Sequence, residues 1–310
     1  MTAPIYLDYN ATTPVDPRVV EAMLPYLRTH YGNPSSDHVY GHAAKEAVDQ
    51  ARTEVAALIG AQPAEILFTG CATEANNLAL QGAARALFSG SRRTLLYSAV
   101  EHPSVAQPMR HLANTGWTVA EIPVDANARI DPDALEIGSD VALVSVMLAN
   151  NEVGTLQPLA ALSAVCRECG VPFHSDAVQA SGTLSLQVDE LGVDLLSLGG
   201  HKLYGPKGVG LLYVRRGTPL LPQITGGSQE GKRRASTENV PYIMGLAAAL
   251  TLSQAERQTE AVRLTALRER LIDGVLASIP DAYLTGHRVE RLANHASFVV
   301  RGIEAEGMLI

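Results

Sequence analysis

Lys202 is the residue with the most chemical promise: it stands in Gly199-Gly200-His201-Lys202, directly behind the apolar run Leu195–Leu198. Only four of the 24 lysine and arginine residues are lysines (Lys45, Lys202, Lys207, Lys232), and Lys202 alone follows a predicted strand at a sheet's carboxyl edge. A lysine held there, out of water and beside other polar groups, gives up its proton more readily and can attack an aldehyde. Asp176 ends His174-Ser175-Asp176 behind a second apolar run, where a carboxylate can keep a ring nitrogen protonated. Gly70-Cys71-Ala72-Thr73-Glu74 follows a third run and leads into a helix. Small residues at a helix start let backbone N–H groups approach a phosphate, and Thr73 adds a hydroxyl. Each has a plainer reading alone: a surface lysine, or an Asp or Thr capping a helix. Together they supply a lysine for an aldehyde, an acid for a ring nitrogen and a seat for a phosphate. Those are the three handles of pyridoxal 5'-phosphate.

Two further polar groups follow predicted strands. Glu101-His102-Pro103 comes after Thr94–Ser98, and Asn150-Asn151-Glu152, with Gly154, comes after Val141–Met147. A lone histidine is commonly a loop residue and an Asn pair commonly marks a turn, so neither defines a site unaided. Other cofactor signatures do not fit. There is no Walker A loop, and the glycine-rich Gly205–Gly210 precedes a strand instead of following one, unlike a dinucleotide fingerprint. Cys166-x-x-Cys169 sits on the last turn of a predicted helix with no second Cys/His pair, so no metal site is expected.

The elements that must hold these residues alternate. Short runs rich in Val, Ile and Leu predict strands at Glu65–Thr69, Thr94–Ser98, Thr118–Ile122, Val141–Met147, Val171–Ser175, Leu195–Leu198 and Gly210–Val214. Helical periods fill Glu74–Leu87, Ser104–Asn114 and Leu159–Cys169. Ahead of them, Asp16-Pro17 opens a helix towards Leu27, and Ala43–Ile59 closes at Gly60. This is an α/β fold, a mostly parallel seven-stranded sheet with helices on both faces, where ligands bind outside the carboxyl ends of the strands. Long amphipathic helix from Val240 through Ala255–Ile279 and a strand at Ala296–Val300 predict a second, smaller α/β unit, incomplete at its C-terminus. The expected division is a large unit of 13–255 and a small one of 1–12 with 256–310.

Composition narrows the class. The chain has 310 residues, 46% hydrophobic and 18% charged, with a net charge of −8 and no charge blocks. A nucleic-acid partner needs a basic face, which is absent apart from Lys232-Arg233-Arg234. Cys71, Cys166 and Cys169 form no disulfide framework, the first residues lack the regions of a signal peptide, and no apolar run would span a bilayer. A cytoplasmic protein with no membrane partner is expected.

With the order of these segments in view, the sequence resembles the cysteine desulfurases of the nitrogen-fixation and iron–sulfur-assembly type, within the class V aminotransferase group. The resemblance is carried by Tyr6–Pro14 (YLDYNATTP), Gly32–Ser36 with His38 and Gly41, Phe68–Asn77 (FTGCATEANN) and Glu101–Pro103. It continues through Asn150–Gly154 (NNEVG), His174–Gln179 (HSDAVQ), Gly200–Gly208 (GHKLYGPKG) and Gly226–Asn239 (GGSQEGKRRASTEN). It implies the large domain of a fold-type I pyridoxal-phosphate transferase. It also implies that Lys202 holds the cofactor aldehyde and later moves the substrate Cα proton, that Asp176 pairs with the ring nitrogen, and that Gln179 bonds the ring oxygen. His102 would stack on the ring and assist proton transfer. Ala72, Thr73 and His201 would hold the phosphate, Thr237 would reach the phosphate of the partner in a homodimer, and Asn151 would touch the ring oxygen side and the substrate carboxylate. The implied reaction removes sulfur from L-cysteine, giving L-alanine and a protein persulfide for iron–sulfur scaffold or tRNA-thiolation proteins. A selenocysteine lyase and a non-catalytic scaffold are the alternatives.

The sequence departs from that pattern in places. Gly199 stands where many relatives have a phosphate-bonding serine, a contact worth about 1–2 kcal/mol, and Ser236 stands where the family has glycine beside the threonine. Cys71 is expected to be a small packed residue and not a nucleophile. The family's sulfur-accepting cysteine lies on a loop beyond Ile310. Because the helical pattern of Glu304–Ile310 stops on Met308, Leu309 and Ile310, a C-terminally truncated chain is expected.

Overall fold

The computed structural model describes residues 4–305 and 307. Its elements in chain order are α1 (Pro17–Arg28), α2 (Val39–Ile59), β1 (Ile66–Thr69), α3 (Ala72–Asn77), α4 (Ala83–Leu87), β2 (Thr94–Ser98), α5 (Pro103–Ala113), β3 (Thr118–Ile122) and β4 (Val141–Ser145). They continue with α6 (Leu159–Glu168), β5 (Phe173–Asp176), α7 (Val188–Leu191), β6 (Leu195–Gly199), β7 (Gly210–Val214), α8 (Val240–Ser278), β8 (Ala282–Leu284) and β9 (Phe298–Val300). The end of the final expected helix, Met308–Ile310, lies outside the described residues.

Seven strands form one sheet in the order β1-β7-β6-β5-β4-β2-β3. Pairing is parallel among β2 to β6, whereas β7 runs against both neighbours, β1 and β6. A tight connection explains the reversal: only the segment 200–209 separates β6 from β7, too short for a parallel crossover. One face is packed by α1, α2, α6 and α8, and the other by α3, α4 and α5 with Trp117. The inner strands are therefore buried on both faces, which is why β1, β4, β6 and β7 read as largely apolar runs, whereas the edge strand β3 is mostly exposed.

Capping sets the helix starts. Asp16 accepts from the Arg18 N–H with Pro17 in the first turn, as the sequence predicts. The second helix begins at Val39, four residues before the expected Ala43, because His38 caps it by accepting from Gly41 N–H. Only glycine fits at 41, where a Cβ would lie 2.1 Å from the Ser36 carbonyl oxygen. Helix α2 ends at Gly60, whose φ of 73° needs no Cβ. The helix expected over Glu74–Leu87 starts two residues earlier, with Cys71 Sγ accepting from Glu74 N–H, and widens to a π turn over Leu78–Gly82.

Residues 228–234 are fastened to α2 and α3 by two ion pairs and to β1 by a backbone hydrogen bond. The Arg52 guanidinium holds the buried Glu230 carboxylate through two bonds of 2.8 Å, and Phe68 N–H donates to the same carboxylate at 3.1 Å. Arg234 Nε meets Glu74 Oε1 at 2.7 Å, while Glu74 also accepts from Gly70 N–H. Removing one partner of a buried pair strands the other charge. Arg52→Ala is therefore expected to cost about 3–5 kcal/mol in a denaturant titration, whereas exposed Arg263→Ala, despite its pair with Glu260, costs about 1 or less.

Candidate active site

The carboxyl ends of β1, β2, β4, β5 and β6 surround a cavity of ≈ 370 Å³. Lys202, Asp176, His102 and Gln179 line it, and so do Ala72, Thr73, Asn151 and His201. Eight of the residues singled out from the sequence thus meet in one place. Thr237 does not line the cavity; it is exposed on the loop that Glu230 and Arg234 fasten down.

Asp176 is the last residue of β5 and only 6% exposed. Its Oδ1 accepts from Val178 N–H at 3.0 Å and its Oδ2 from Asn76 Nδ2 at 2.7 Å. Burial pushes its pKa up, while these bonds and the nearby Lys202 ammonium pull it back. Below it, His174 is sealed between Ser145 Oγ (2.8 Å) and Ser197 Oγ (3.1 Å) and pushed down to about 3 by burial, so it is a neutral core residue.

Lys202 closes the short 3₁₀ turn Gly200–Lys202 after β6, and its ammonium donates to the Asn10 carbonyl. Burial lowers its pKa against the opposing pull of Asp8 and Asp176, the direction a nucleophilic lysine needs. Gln179 Nε2 donates to the same Asn10 carbonyl at 2.9 Å, and Asn10 Nδ2 reaches the Asn151 carbonyl at 3.3 Å. His201 Nδ1 lies 3.1 Å from Thr12 Oγ1, its backbone oxygen accepts from Thr13, and burial lowers its pKa.

The residues present fit pyridoxal phosphate. A buried carboxylate with no ion-pair partner among the described residues faces a cavity, a costly arrangement unless a cation meets it, and a protonated ring nitrogen is such a cation. Across the cavity stand an amine whose proton burial loosens and, at the start of α3, a hydroxyl with backbone N–H groups. At Gly199 a Cβ would lie 3.1 Å from Ala72 Cβ, so the seat is narrow beside the helix start. Ser236 holds φ 104°, a left-handed conformation natural to the glycine expected there and costing a serine about 1–3 kcal/mol.

Sequence reasoning missed Asp8, Asn10 and Ala11, which also line the cavity. They lie in coil before α1, so a search of residues following strands passes over them; the quoted motif Tyr6–Pro14 was their only signal. It also left Glu101 without a role. The Glu101 carboxyl is buried, with Oε1 accepting from Met147 N–H and Oε2 unpartnered. Burial, then the nearby Asp176 charge, pushes its pKa well above the usual 4.5.

Comparison with known proteins extends across the chain. The Aminotransferase class-V family matches residues 5–309. The protein named cysteine desulfurase IscS of Dictyoglomus turgidum is 46% identical over 100% of this chain and 79% of that relative. A solved structure described as a NifS-like protein superposes with a TM-score of 0.95 at 36% identity, covering 99% of this chain and 84% of its own. Another, described as SspA in complex with cysteine, gives 0.76 at 38% identity over 80% of this chain and 72% of its own.

The raised Glu101 pKa makes stability depend on pH. The folded state holds this proton more tightly than the unfolded chain, so folding takes up a proton above the ordinary value of 4.5 and stability falls as pH rises from there. Glu101→Gln cannot titrate. Its Tm is expected to gain on the wild type as pH rises from about 4.5 to neutrality and to lose that advantage below; thermal melts across pH check this, and a constant offset would contradict it.

Proposed function

The chain belongs to the class-V aminotransferase family, among its cysteine desulfurases, and from that membership we infer a pyridoxal-phosphate enzyme that removes sulfur from L-cysteine, leaving L-alanine. The observation that carries the reading is the meeting of Lys202, Asp176 and the start of α3 around one cavity. When bound, pyridoxal phosphate supplies an electron sink for the substrate Cα.

The chain's own residues do the rest. Asp176, buried and already accepting two hydrogen bonds, keeps its negative charge opposite the ring nitrogen and so holds a proton there. Lys202, its proton loosened by burial, would hold the cofactor aldehyde and carry the substrate Cα proton. Gln179 would hold the ring oxygen, His102 would cover the ring and assist proton transfer, and Asn151 would orient the substrate carboxylate. Ala72, Thr73 and His201 hold the phosphate. Support for these roles lies in the shared cavity wall.

The sulfur goes to a thiol, ending as a persulfide passed to iron–sulfur or tRNA-thiolation proteins. Among the described residues none of the three cysteines lines the cavity: Cys166 is buried, and Cys71 and Cys169 are exposed elsewhere. The working form we propose is a cytoplasmic homodimer in which Thr237 serves the partner's phosphate, supported by its exposure on a fastened loop away from its own cavity. No helix among the described residues is long and apolar enough to cross a membrane. The division into 13–255 and 1–12 with 256–310 is part of the same proposal. In its support, the seven-stranded sheet falls in the first range and the β8–β9 pair in the second.

Chain loaded with pyridoxal phosphate and treated with borohydride is expected to keep the cofactor attached to the peptide containing Lys202. Its visible absorbance is expected to change on addition of L-cysteine before reduction. Lys202→Ala should lose the borohydride-fixed attachment, and a loaded wild type with no cofactor absorbance would overturn the reading. Alanine release measured with and without added thiol then tells whether the chain supplies its own sulfur acceptor.

A further inference from the structure

A buried run of hydrogen bonds behind the cavity joins the histidine on its wall to the aspartate at its base. Asn76, on α3 and 0% exposed, donates through Nδ2 to Asp176 Oδ2 at 2.7 Å and to Ser104 Oγ at 2.8 Å. Ser104 Oγ lies 2.8 Å from His102 Nδ1, and the same Nδ1 accepts from the Ser104 backbone N–H at 3.1 Å. The available protons fix the direction of each bond. The Asn76 amide has two N–H groups and uses one on each neighbour, so Ser104 Oγ accepts there and keeps its own hydrogen to donate. That hydroxyl's other neighbour is His102 Nδ1. Facing two donors, Nδ1 holds a lone pair, and the neutral ring carries its proton on Nε2. The reversed amide would set Asn76 Oδ1 against the carboxylate, acceptor to acceptor; as placed, Oδ1 is a buried atom without a partner.

We propose that Asn76 and Ser104 are positioning residues that tie the tautomer of His102 to the Asp176 carboxylate, holding Nδ1 as an acceptor and leaving Nε2–H as the imidazole's free donor. Rupture at either joint frees the ring to choose its tautomer independently of Asp176. The consequence rests on the reading of the cavity as a pyridoxal-phosphate site: beside the ring, His102 offers a hydrogen bond through Nε2–H and does not act as a base at Nδ1. Ser104 has a second tie to this task, because it is also the residue whose backbone N–H His102 caps at the start of α5. Capping and tautomer are thus set by one residue.

The test uses the full chain with isotope-labelled histidine, cofactor-free and loaded, read by ring-nitrogen NMR, with the His102 signals identified by their loss in His102→Gln. The wild type is expected to show an unprotonated Nδ1 and a protonated Nε2. Asp176→Asn should shift both signals in the wild-type background, lose that shift when combined with Ser104→Ala, and keep it with Ser104→Thr, which retains the hydroxyl. Equal shifts with and without the hydroxyl, or a wild-type proton on Nδ1, would overturn the proposal. Asn76→Ser cuts the run at its other joint and is read in the same way if Ser104→Ala fails to fold. Because the cofactor-free readout needs no pyridoxal phosphate, a chain that shows the coupling yet binds none would sink the proposed function alone. Binding without coupling would sink this inference alone.

Discussion

Asp176 imposes the constraint around which the rest of the site is arranged. It ends the central strand β5, buried beneath the cavity floor, and its carboxylate has hydrogen bonds but no ion pair among the described residues. A buried charge is tolerable when its lone pairs are satisfied and an opposite charge faces it. The neighbouring strand end answers that requirement with Lys202, which follows β6, while His102, after β2, lines the same cavity. A cofactor with a protonated ring nitrogen would complete the charge balance there. Glu101, buried nearby and pushed towards its neutral form, shows the same economy of charge, since two ionised carboxyls cannot share this pocket cheaply.

Rigidity around the cavity comes from fastenings at some distance from the chemistry. Arg52 of α2 and the Phe68 N–H of β1 hold Glu230 on the loop that bears Thr237, and Arg234 anchors that loop to Glu74 on α3. The left-handed backbone of Ser236 is held between these anchors and helix α8. On the opposite rim, Thr13 donates to the His201 carbonyl through both backbone and hydroxyl, and Tyr204 N–H returns a bond to Thr13 Oγ1. The segment before α1 is thereby stitched over the turn that carries Lys202, which brings the Asn10 carbonyl to the lysine.

Much of this was legible in the sequence because the signals are local. Largely apolar runs of five residues mark β2 and β7 to the residue, since strands covered on both faces need apolar side chains on both sides. Asp16-Pro17 and Gly60 mark helix ends through capping and a positive φ, which are properties of single residues. Three of the site's handles stood out because a parallel sheet gathers at one edge whatever follows its strands. The π turn in the helix after β1, and the strand β8 at Ala282–Leu284, carried no such local mark.

By itself, then, the sequence determined the strand and helix pattern, the residue types able to handle an aldehyde, a ring nitrogen and a phosphate, and through its motifs the family. Tertiary structure decided which of them meet. It put Asn10, distant in the chain, on the lysine, left Thr237 off its own cavity, and turned Asn76, Ser104 and Glu101 from helix and loop residues into buried neighbours of Asp176 and His102. The physical reason is that capping, periodicity and backbone preference act over a few residues. Desolvation, charge pairing and the sharing of a single proton between side chains arise only when segments far apart in sequence are packed together and water is gone.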